Sequence, residues 1–443
     1  GGTNTYAVAD LDQDGYPDLV FPGPDGLRIF HGGPDGLEPH RYSVLKAWGQ
    51  NLFHVLVADF NRDGWLDLLT VAYTYDDKPE TMAQSSRILW GSPEGFSTDR
   101  STLVPTYCSG NAQLADVNKD GWIDILYYNR NGYLAIYLGG PDGYSQERMC
   151  KIPLEDMGEA NVPAITVADL NGNGWLDLIL TVMGHYTRRE SGFFILHGGP
   201  DGYCRDRTEF HPTDASSIRI SVADLNNNGH LDLLVPAYST KFSRQLPAHI
   251  FGGDGKSFDF DHPMVIPCDS SCAFMVVDIT GNGYRDVMVV CHRNDLGHQV
   301  DSLLFWNGPE GLSFDRVTRL PAMGPHLASP RDFGNAYTRE PLENYVSPAY
   351  HAHGREPVRL SWQAQTPPGT QVKFQLRRAH SEDQLGSARW VGPSGQGSFY
   401  ERSGETIRMP VGAAKWLQYK ATFVSLNGCQ SPKLQEVRID FED

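Results

Sequence analysis

Val8-Ala-Asp-Leu-Asp-Gln-Asp-Gly-Tyr-Pro-Asp-Leu-Val20 is the stretch that decides the fold of this chain. Its oxygen-bearing side chains are Asp10, Asp12, Asp14 and Asp18. Alternate carboxylates, a glycine that permits a sharp turn and a last carboxylate that closes the cage are the features of a short loop that wraps Ca²⁺. The flanks of this nine-residue loop are aliphatic and β-branched, so the stretch predicts a cation loop that joins two β-strands.

The same loop returns five more times along the chain. Its copies begin at Asp59, Asp116, Asp169, Asp224 and Asp278. The copies follow one another every 49 to 57 residues. A fixed period of this length is typical of an array in which each repeat forms one supersecondary unit.

Each repeat carries a second signature, which is a Pro-Asp-Gly or similar turn between apolar residues. It reads Phe30-His-Gly-Gly-Pro-Asp-Gly-Leu37 in the first repeat and Leu196-His-Gly-Gly-Pro-Asp-Gly-Tyr203 in the fourth. Because Pro sets φ and Gly accepts a positive φ, this signature predicts a tight turn between two strands. One repeat is then a strand, the cation loop, a strand, a variable loop, a strand, the tight turn and a strand. This order predicts one four-stranded blade of a β-propeller.

The two signatures resemble the FG-GAP repeats of integrin α-chain propellers and of many secreted bacterial proteins, over residues 1 to about 350. The resemblance implies a seven-bladed ring with up to six structural Ca²⁺ ions held in the loops. The implied ligands are Asp10, Asp12, Asp14, Asp18, Asp59, Asn61, Asp63, Asp67, Asp116, Asn118, Asp120, Asp124, Asp169, Asn171, Asn173, Asp177, Asp224, Asn226, Asn228, Asp232, Asp278, Thr280, Asn282 and Asp286. Because the sixth loop has Thr280 and Asn282 in place of two acids, we expect it to bind Ca²⁺ most weakly.

The seventh blade is expected at residues 325–350. One further repeat length beyond Asp278 leads to Asp332, and Tyr345-Val-Ser-Pro-Ala-Tyr350 parallels a strand of an earlier blade. We expect this blade to have kept its strands and lost its cation loop.

Residues 356–443 alternate apolar and polar residues between Gly/Pro turns, and they resemble an immunoglobulin- or fibronectin-like β-sandwich. The predicted fold is all-β, with a seven-bladed FG-GAP propeller over 1–350 and a β-sandwich over 356–443.

Composition narrows the partners of the chain. A formal net charge of −17 argues against nucleic acid or an anionic membrane as a partner. The sequence has no apolar run of about 18 residues that would predict a membrane span. Calcium-type loops in a glycine-rich β architecture favour an extracellular, secreted protein, with the periplasm or the cell surface as alternatives, and we expect a monomer.

Of the seven cysteines, Cys268 and Cys272 are the only close pair, so we expect isolated thiols and at most one local disulfide.

Long variable loops follow the second strand of the blades, on the face opposite the cation loops, and functional residues tend to lie on such loops. Counting six residues past each closing aspartate, and five before each opening one, locates polar and aromatic residues that should converge on this rim. Residues of the adjoining variable loops and of the expected seventh blade add to them. The candidate catalytic residues are His54, Tyr73, His185, Arg219, Tyr238 and His292. The candidate substrate-binding residues are Asn111, Arg130, Tyr186, Arg188, Arg189, Arg293, His326, Tyr337 and Arg339. Any one of them alone is more often a hydrogen-bonded rim residue than a functional one.

A rim of Tyr, His, Arg and Asn suits an acidic polysaccharide, because aromatic faces stack on sugar rings and Arg pairs with a carboxylate. The favoured function is a polysaccharide lyase that cleaves a uronate-containing chain by β-elimination. Arg would neutralise the carboxylate, and His or Tyr would serve as base and acid. Some polysaccharide lyases, including ulvan lyases, are similar in having seven-bladed propellers with His, Tyr and Arg in the cleft.

Two other functions stay open. The first is a non-catalytic adhesion or lectin-type propeller that binds a glycan or a protein, because integrin heads and FG-GAP lectins present the same face. The second is a glycoside hydrolase, which needs two carboxylates that flank the scissile bond. The acids of the variable loops are Asp76, Asp77, Glu159 and Asp214, and none of them falls at a repeat position that would place it centrally.

Overall fold

The structure is a computed structural model that describes residues 6–23, 26–46, 52–72, 86–106, 112–129, 133–154, 164–184, 190–280, 282, 284–322, 324, 342–366, 370–409, 415–425 and 432–442. Within these ranges the chain is built of β-strands, with short 3₁₀ turns at Gln146–Arg148, Arg205–Arg207 and Leu385–Ser387. The described residues contain no helix with the length and apolar character that a membrane crossing requires.

Six four-stranded antiparallel sheets follow one another in the described part of the chain, and in each sheet strands that are neighbours in sequence pair. Blade 1 consists of β1 Ala7–Ala9, β2 Asp18–Gly23, β3 Gly26–Phe30 and β4 Tyr42–Lys46. Blade 2 consists of β5 Leu52–Ala58, β6 Asp67–Ala72, β7 Ser86–Leu89 and β8 Ser101–Val104. Blade 3 consists of β9 Ala112–Ala115, β10 Asp124–Asn129, β11 Tyr133–Tyr137 and β12 Met149–Pro153. Blade 4 consists of β13 Ile165–Ala168, β14 Asp177–Val182, β15 Gly192–Leu196 and β16 Thr208–Pro212. Blade 5 consists of β17 Ser221–Ala223, β18 Asp232–Val235, β19 Ala248–Phe251 and β20 Met264–Ile266. Blade 6 consists of β21 Ser271–Val277, β22 Asp286–Cys291, β23 Val300–Phe305 and β24 Val317–Ala322. The predicted four-stranded repeats are confirmed.

Hydrophobic cores lie between consecutive blades, and each of the five interfaces from blades 1 and 2 to blades 5 and 6 has its own cluster. The second strand of a blade supplies two of these cores at once. Leu68 packs with blade 1 and Leu69 with blade 3, while Ile125 packs with blade 2 and Leu126 with blade 4. Successive side chains of a strand point to opposite faces, so a strand covered on both sides must be apolar throughout. This explains why β6 and β14 are buried along their whole length.

The C-terminal region forms two sheets that pack face to face. One sheet joins β25 Leu342–Val346 and β26 Tyr350–His351 to β30 Trp416–Ser425, which also pairs with β28 Thr370–Ala379. The other sheet joins β27 Glu356–Gln365 to β29 Glu405–Thr406 and to β31 Lys433–Glu442. A shared core contains Leu360 from the second sheet and Phe374, Leu376 and Ala421 from the first. The predicted β-sandwich is therefore present.

The prediction that the seventh blade extends to residue 350 is wrong for its last part. Leu342 is paired with Val424, and Tyr350 is paired with Leu417, so both β25 and β26 belong to the sandwich. The alternation of Tyr345 to Tyr350 is the same in a blade and in a sandwich, because the alternation does not determine which distant strand completes the hydrogen bonds. The sandwich thus begins at Leu342 and not at residue 356. The rest of the predicted seventh blade, with Asp332, lies outside the described residues.

Candidate functional site

The first cation loop folds around its own backbone amides. Asp10 accepts hydrogen bonds from the amides of Asp14 (3.1 Å) and Gly15 (3.0 Å), and Asp14 accepts one from Tyr16 (2.9 Å). Gly15 has φ +90°, which only glycine adopts without strain. These bonds turn the carboxylates of Asp10, Asp12 and Asp14 towards one point, where their oxygens lie within 4.8 Å of one another. Such an all-oxygen donor set fits a hard cation such as Ca²⁺.

The other five loops repeat this backbone arrangement. In each of them the first aspartate accepts the amide four residues later, at 3.1 Å. In loops two to five it also accepts the amide five residues later, at 2.8 or 2.9 Å. The aspartates concerned are Asp59, Asp116, Asp169, Asp224 and Asp278. The shared sequence pattern therefore produces one shared loop conformation.

The closing aspartate of each loop has a structural role that its sequence position does not reveal. In blade 2, Asp67 accepts the amide of Phe60 at 2.8 Å with one oxygen and that of Gly91 at 2.9 Å with the other. Phe60 belongs to the cation loop, whereas Gly91 begins the tight turn between β7 and β8. All six closing aspartates make this pair of bonds, and they are Asp18, Asp67, Asp124, Asp177, Asp232 and Asp286. This carboxylate joins the two signatures of the repeat, which explains why they occur together.

Burial makes the charged form of several of these carboxylates less favourable than it is in water. Desolvation raises the pKa of Asp18 and of Asp124 to about 6 and that of Asp67 to about 7, although amide hydrogen bonds act in the opposite direction. Each carboxylate oxygen retains a second lone pair beside its amide bond. The closing aspartates could therefore contribute to cation binding as well as to the fold.

Two histidines beside the loops were missed by the sequence reasoning. His31 lies with Asp12 and Asp18 in a group whose ligand atoms are all within 4.8 Å of one another. At the equivalent position of blade 4, His197 Nδ1 lies 3.3 Å from Asp177 Oδ1, and this close carboxylate raises the pKa of His197. The sequence does contain a signal for these two histidines, because both directly precede the Gly-Gly-Pro of the tight turn.

Side chains of the fourth loop position link neighbouring loops on this rim. Gln13 Nε2 donates to the carbonyl of Gly64 in the next loop at 2.7 Å. Arg62 donates to the carbonyl of Gly121, and its guanidinium carbon lies 4.7 Å from the ring centroid of Trp122. In the third loop, the Lys119 ammonium lies 4.4 Å from the ring centroid of Trp175. The cation-loop rim of blades 1 to 4 is thus braced from loop to loop.

On the opposite rim, the structure brings together candidate residues of blades 5 and 6. The rings of Tyr238 and His292 lie 5.6 Å apart, centroid to centroid. Tyr238 also packs in a buried cluster with Met183, which occupies the equivalent position of blade 4. Counting six residues past the closing aspartate therefore located side chains that are neighbours across three blades. Both candidates are largely buried, with Tyr238 4% and His292 6% exposed.

The tautomer of His292 follows from its contacts. Its Nδ1 lies 3.1 Å from the carbonyl oxygen of Gly324, so Nδ1 carries the proton and donates it. The ring of His298 meets that of His292 edge to face, with centroids 4.6 Å apart. In the neutral form His292 therefore has its unprotonated nitrogen at Nε2.

The two variable loops that follow Tyr238 and His292 are tied to each other; we call residues 238–245 and 292–299 the blade 5–6 rim. Asp295 accepts the amide of Arg244 at 2.8 Å and the hydroxyl of Ser243 at 3.3 Å. The guanidinium carbon of Arg244 lies 4.4 Å from the ring centroid of Tyr238, in a cation–π contact. The sequence reasoning named Arg293 in this rim and missed Arg244.

Each loop of the blade 5–6 rim presents an apolar side chain at its tip. Phe242 is 93% exposed and Leu296 is 95% exposed. Thr240 Oγ1 accepts the amide of Phe242 at 3.1 Å, and Asn294 Oδ1 accepts that of Leu296 at 2.9 Å. Polar turns thus hold both apolar side chains out in solvent.

The other candidate rim residues are less well defined by the structure. His54 lies in β5 and is 5% exposed, and Arg219 lies before β17 and is partly buried. The remaining candidates lie outside the described residues, and they are Tyr73, Asn111, Arg130, His185, Tyr186, Arg188, Arg189, His326, Tyr337 and Arg339.

Comparison with known proteins bears on the fold. The family described as FG-GAP-like repeat matches residues 10–70 and 116–180. Solved structures similar to this chain include an Agrocybe aegerita lectin that recognises non-reducing terminal N-acetylglucosamine, at 17% identity and a TM-score of 0.47 over 72% of this chain and 81% of the lectin. BBS1N in complex with ARL6DN is similar at 11% identity and a TM-score of 0.42, over 73% of this chain and 90% of that one. The V. cholerae biofilm matrix protein Bap1 is similar at 10% identity and a TM-score of 0.38, over 86% of this chain and 68% of Bap1. No curated protein sequence matches the chain. The chain is therefore an all-β protein that carries FG-GAP-like repeats.

Proposed function

We propose that this chain is a secreted, calcium-braced binding protein whose blade 5–6 rim binds an anionic glycan. The observation that carries the proposal is the pair of exposed apolar tips, Phe242 and Leu296, on two loops joined by Asp295. Beside these tips lie Lys241, Arg244 and Arg293, and none of the three forms an ion pair with another described residue. Cations without an acidic partner next to apolar side chains suit a ligand that is itself both anionic and partly apolar.

A uronate-containing glycan has this chemistry. The C–H face of a pyranose ring packs on an exposed aromatic ring such as Phe242, and a sugar carboxylate pairs with a guanidinium. The Arg244 guanidinium already stacks on Tyr238, which restricts its conformation before a ligand arrives. Less conformational entropy is lost on binding when a side chain is held in this way.

Calcium is part of this proposal. The six loops gather oxygen ligands around repeated backbone turns, on the rim opposite the proposed binding surface. Bound ions would neutralise carboxylates that otherwise repel one another at the rim. Ca²⁺ would therefore stabilise the blades without contacting the ligand, and millimolar Ca²⁺ outside cells would keep such loops loaded.

A polysaccharide lyase is the second candidate, and one observation favours it. The hydrogen bond from His292 Nδ1 to the carbonyl of Gly324 makes Nε2 the basic nitrogen of this ring. The centroid of the His292 ring lies 5.6 Å from that of the Tyr238 phenol. A base and an acid, with Arg244 in contact with the acid, match the groups that β-elimination at a uronate requires. A general base must come within hydrogen-bond reach of the substrate proton, and both rings are largely buried. We therefore rank a binding function above the lyase.

The test uses the full chain with excess Ca²⁺ and a panel of uronate-containing and neutral polysaccharides. We expect salt-sensitive binding to the uronate polymers and no release of unsaturated ends, which absorb in the ultraviolet. Phe242→Ser and Arg244→Ala should each weaken binding about tenfold. The matched control is Arg316→Ala, because Arg316 is an exposed arginine of blade 6 that lies after the tight turn between β23 and β24, at the end of β23 opposite the rim.

Three outcomes would overturn the proposal. Equal affinity of the two rim variants and the wild type would place the binding surface elsewhere. Binding to vesicles that contain anionic phospholipid, with none to uronate polymers, would make the rim a membrane contact. Release of unsaturated ends that is lost in His292→Ala would establish the lyase.

A further inference from the structure

Two cysteines meet in the core between blades 5 and 6. Cys268 lies just before β21, and Cys291 is the last residue of β22. Cys291 is a buried member of this core, and Cys268 packs against it. Ser271, three residues after Cys268, is the strand partner of Cys291. The Cys268 thiol donates to the Leu246 carbonyl at 3.6 Å and the Cys291 thiol to the Val289 carbonyl at 3.8 Å. Each thiol has the largest effect on the pKa of the other, in keeping with two side chains that lie side by side in this core.

The third cysteine of this region faces away from the pair. Cys272 occupies the bulge between Ser271 and Ala273 and packs with Met183 and Tyr238 in a separate cluster. Proximity in sequence predicts Cys268 with Cys272, whereas the strand places Cys272 on the other face of the sheet. The spatial pair is Cys268 and Cys291.

The environments of the two thiols differ in a way that assigns them different roles. Cys268 is partly exposed, and the Cys291 thiol, the Ser271 hydroxyl and the Ala248 amide near its sulfur lower its pKa. Cys291 is 1% exposed, and the neighbouring Cys268 thiol together with burial raises its pKa. The thiolate is the nucleophile in thiol chemistry. Cys268 is therefore suited to attack first and Cys291 to react second.

We propose that Cys268 and Cys291 form a disulfide that links the segment before β21 to the end of β22. The oxidant is a small-molecule disulfide. The Cys268 thiol loses its proton, and its sulfur attacks one sulfur of the oxidant and releases one thiolate. The Cys291 thiol then loses its proton, attacks the mixed disulfide at Cys268 and releases the second thiolate. The two protons end on the two released thiols, so two protein thiols are oxidised and one small disulfide is reduced.

This cross-link would enclose the residue that supports the blade 5–6 rim. Ser270 donates its hydroxyl to the carbonyl of Tyr238 at 2.6 Å, and its own carbonyl accepts the amide of His292 at 3.0 Å. Ser270 has φ +42°, a left-handed conformation that is strained for a residue other than glycine. A disulfide two residues before Ser270 and one before His292 would hold this strained support in place.

The experiment is cysteine mapping on the full chain. The protein is incubated with oxidised glutathione, denatured, alkylated before or after reduction, and digested for mass spectrometry. We expect Cys268 and Cys291 to be alkylated only after reduction and to appear in one cross-linked peptide. Reduction should also lower the midpoint of thermal unfolding, on the order of 4 °C for a loop of this length.

Variants separate the disulfide from general thiol reactivity. In Cys291→Ser we expect glutathione to stay attached to Cys268, because no second thiol releases it. In Cys272→Ala the cross-linked peptide should persist. The proposal is overturned if both cysteines are alkylated in the oxidised, unreduced wild type, or if Cys268 is found linked to Cys272. Because mapping of the wild type decides this by itself, the test stands even if a variant does not fold.

Discussion

At the scale of single residues, the closing aspartate of each repeat connects local sequence to the fold. Asp67 is 0% exposed and accepts the amides of Phe60 and Gly91, which belong to different loops of blade 2. Gly91 has no side chain because a Cβ there would collide with the carbonyl of Leu66. An aspartate and a glycine 24 residues apart are thus parts of one contact.

Replacing this aspartate tests its role directly. In Asp67→Ala two buried amides lose their acceptor, and we expect the free energy of unfolding to fall by about 3 kcal/mol. Urea unfolding followed by tryptophan fluorescence measures the change, and it should be done with chelator so that a lost ion does not contribute. Asp35→Ala is the control, because Asp35 is exposed in a tight turn. A loss equal to that of the control would mean that the carboxylate is dispensable for the fold.

A partly buried histidine gives the fold a dependence on pH. His211 stacks between Phe193 and Phe260, at centroid distances of 5.2 and 4.3 Å, and desolvation lowers its pKa, with Glu209 and His197 as its charged or titratable neighbours. A lowered pKa means that folding favours the neutral ring. The contribution to stability is therefore present above the unfolded pKa of about 6.5 and is lost as the pH falls through the folded value.

His211→Gln removes this titration. We expect the wild type to lose more stability than the variant between pH 7.5 and pH 5, measured by urea unfolding at both values. The variant can be less stable at either pH, because it also loses the aromatic stacking. Parallel losses in the two proteins would show that His211 does not titrate differently in the folded and unfolded states.

At the scale of elements, the cation loops share one backbone but differ in their donors. In the sixth loop, Thr280 Oγ1 lies 3.5 Å from Asp278 Oδ1, and Asn282 donates its amide to the carbonyl of Asn307 at 3.0 Å. These groups offer less negative charge to an ion than the acids at the same positions of the first loop. The ranking of affinities that the sequence predicts is therefore kept as a prediction.

Chelator titration followed by native mass spectrometry would count the ions that remain. We expect the sixth loop to release its Ca²⁺ first, so Asp278→Ala should lack the first step of ion loss. Asp10→Ala, the matched variant of the first loop, should keep that step and lose a later one. Six ions released together, or the same first step in both variants, would contradict the ranking.

Contacts between loops act at this scale as well. Arg62 is held in a left-handed conformation (φ +62°) and reaches Gly121 and Trp122 of the next loop. We expect Arg62→Ala to lower the free energy of unfolding by about 1 kcal/mol, because the strain remains while the cation–π contact and hydrogen bond are lost. Arg62→Lys keeps the charge near Trp122 and should recover part of the loss in urea unfolding. No difference between Ala and Lys would assign the effect to the loop itself.

At the scale of the whole molecule, periodicity was the most informative part of the sequence. The six repeats became six sheets because each cation loop and tight turn is a local structure that short sequence determines. The pairing of Tyr238 with His292 also followed from the repeat, since equivalent positions of adjacent blades are neighbours. The contacts of Arg244 with Tyr238 and of Cys268 with Cys291 did not follow from it, because loop conformations and a β-bulge determine them.

The boundary between the propeller and the sandwich was misplaced because the sequence does not show which distant strand completes a sheet. The observed boundary leads to a prediction about fragments. β25 pairs with β30 from Leu342↔Val424 to Val346↔Lys420, on the edge of β30 opposite β28. A fragment of residues 356–443 would leave that edge of β30 without a partner, and such edges promote aggregation. We therefore expect a fragment of residues 342–443 to be monomeric and to unfold cooperatively, whereas the shorter fragment aggregates or unfolds at lower urea. Size-exclusion chromatography and urea unfolding of both fragments decide this. Equal stability and solubility would mean that β25 is only an appendage of the sandwich, and the domain would then begin where the alternating sequence begins, at β27.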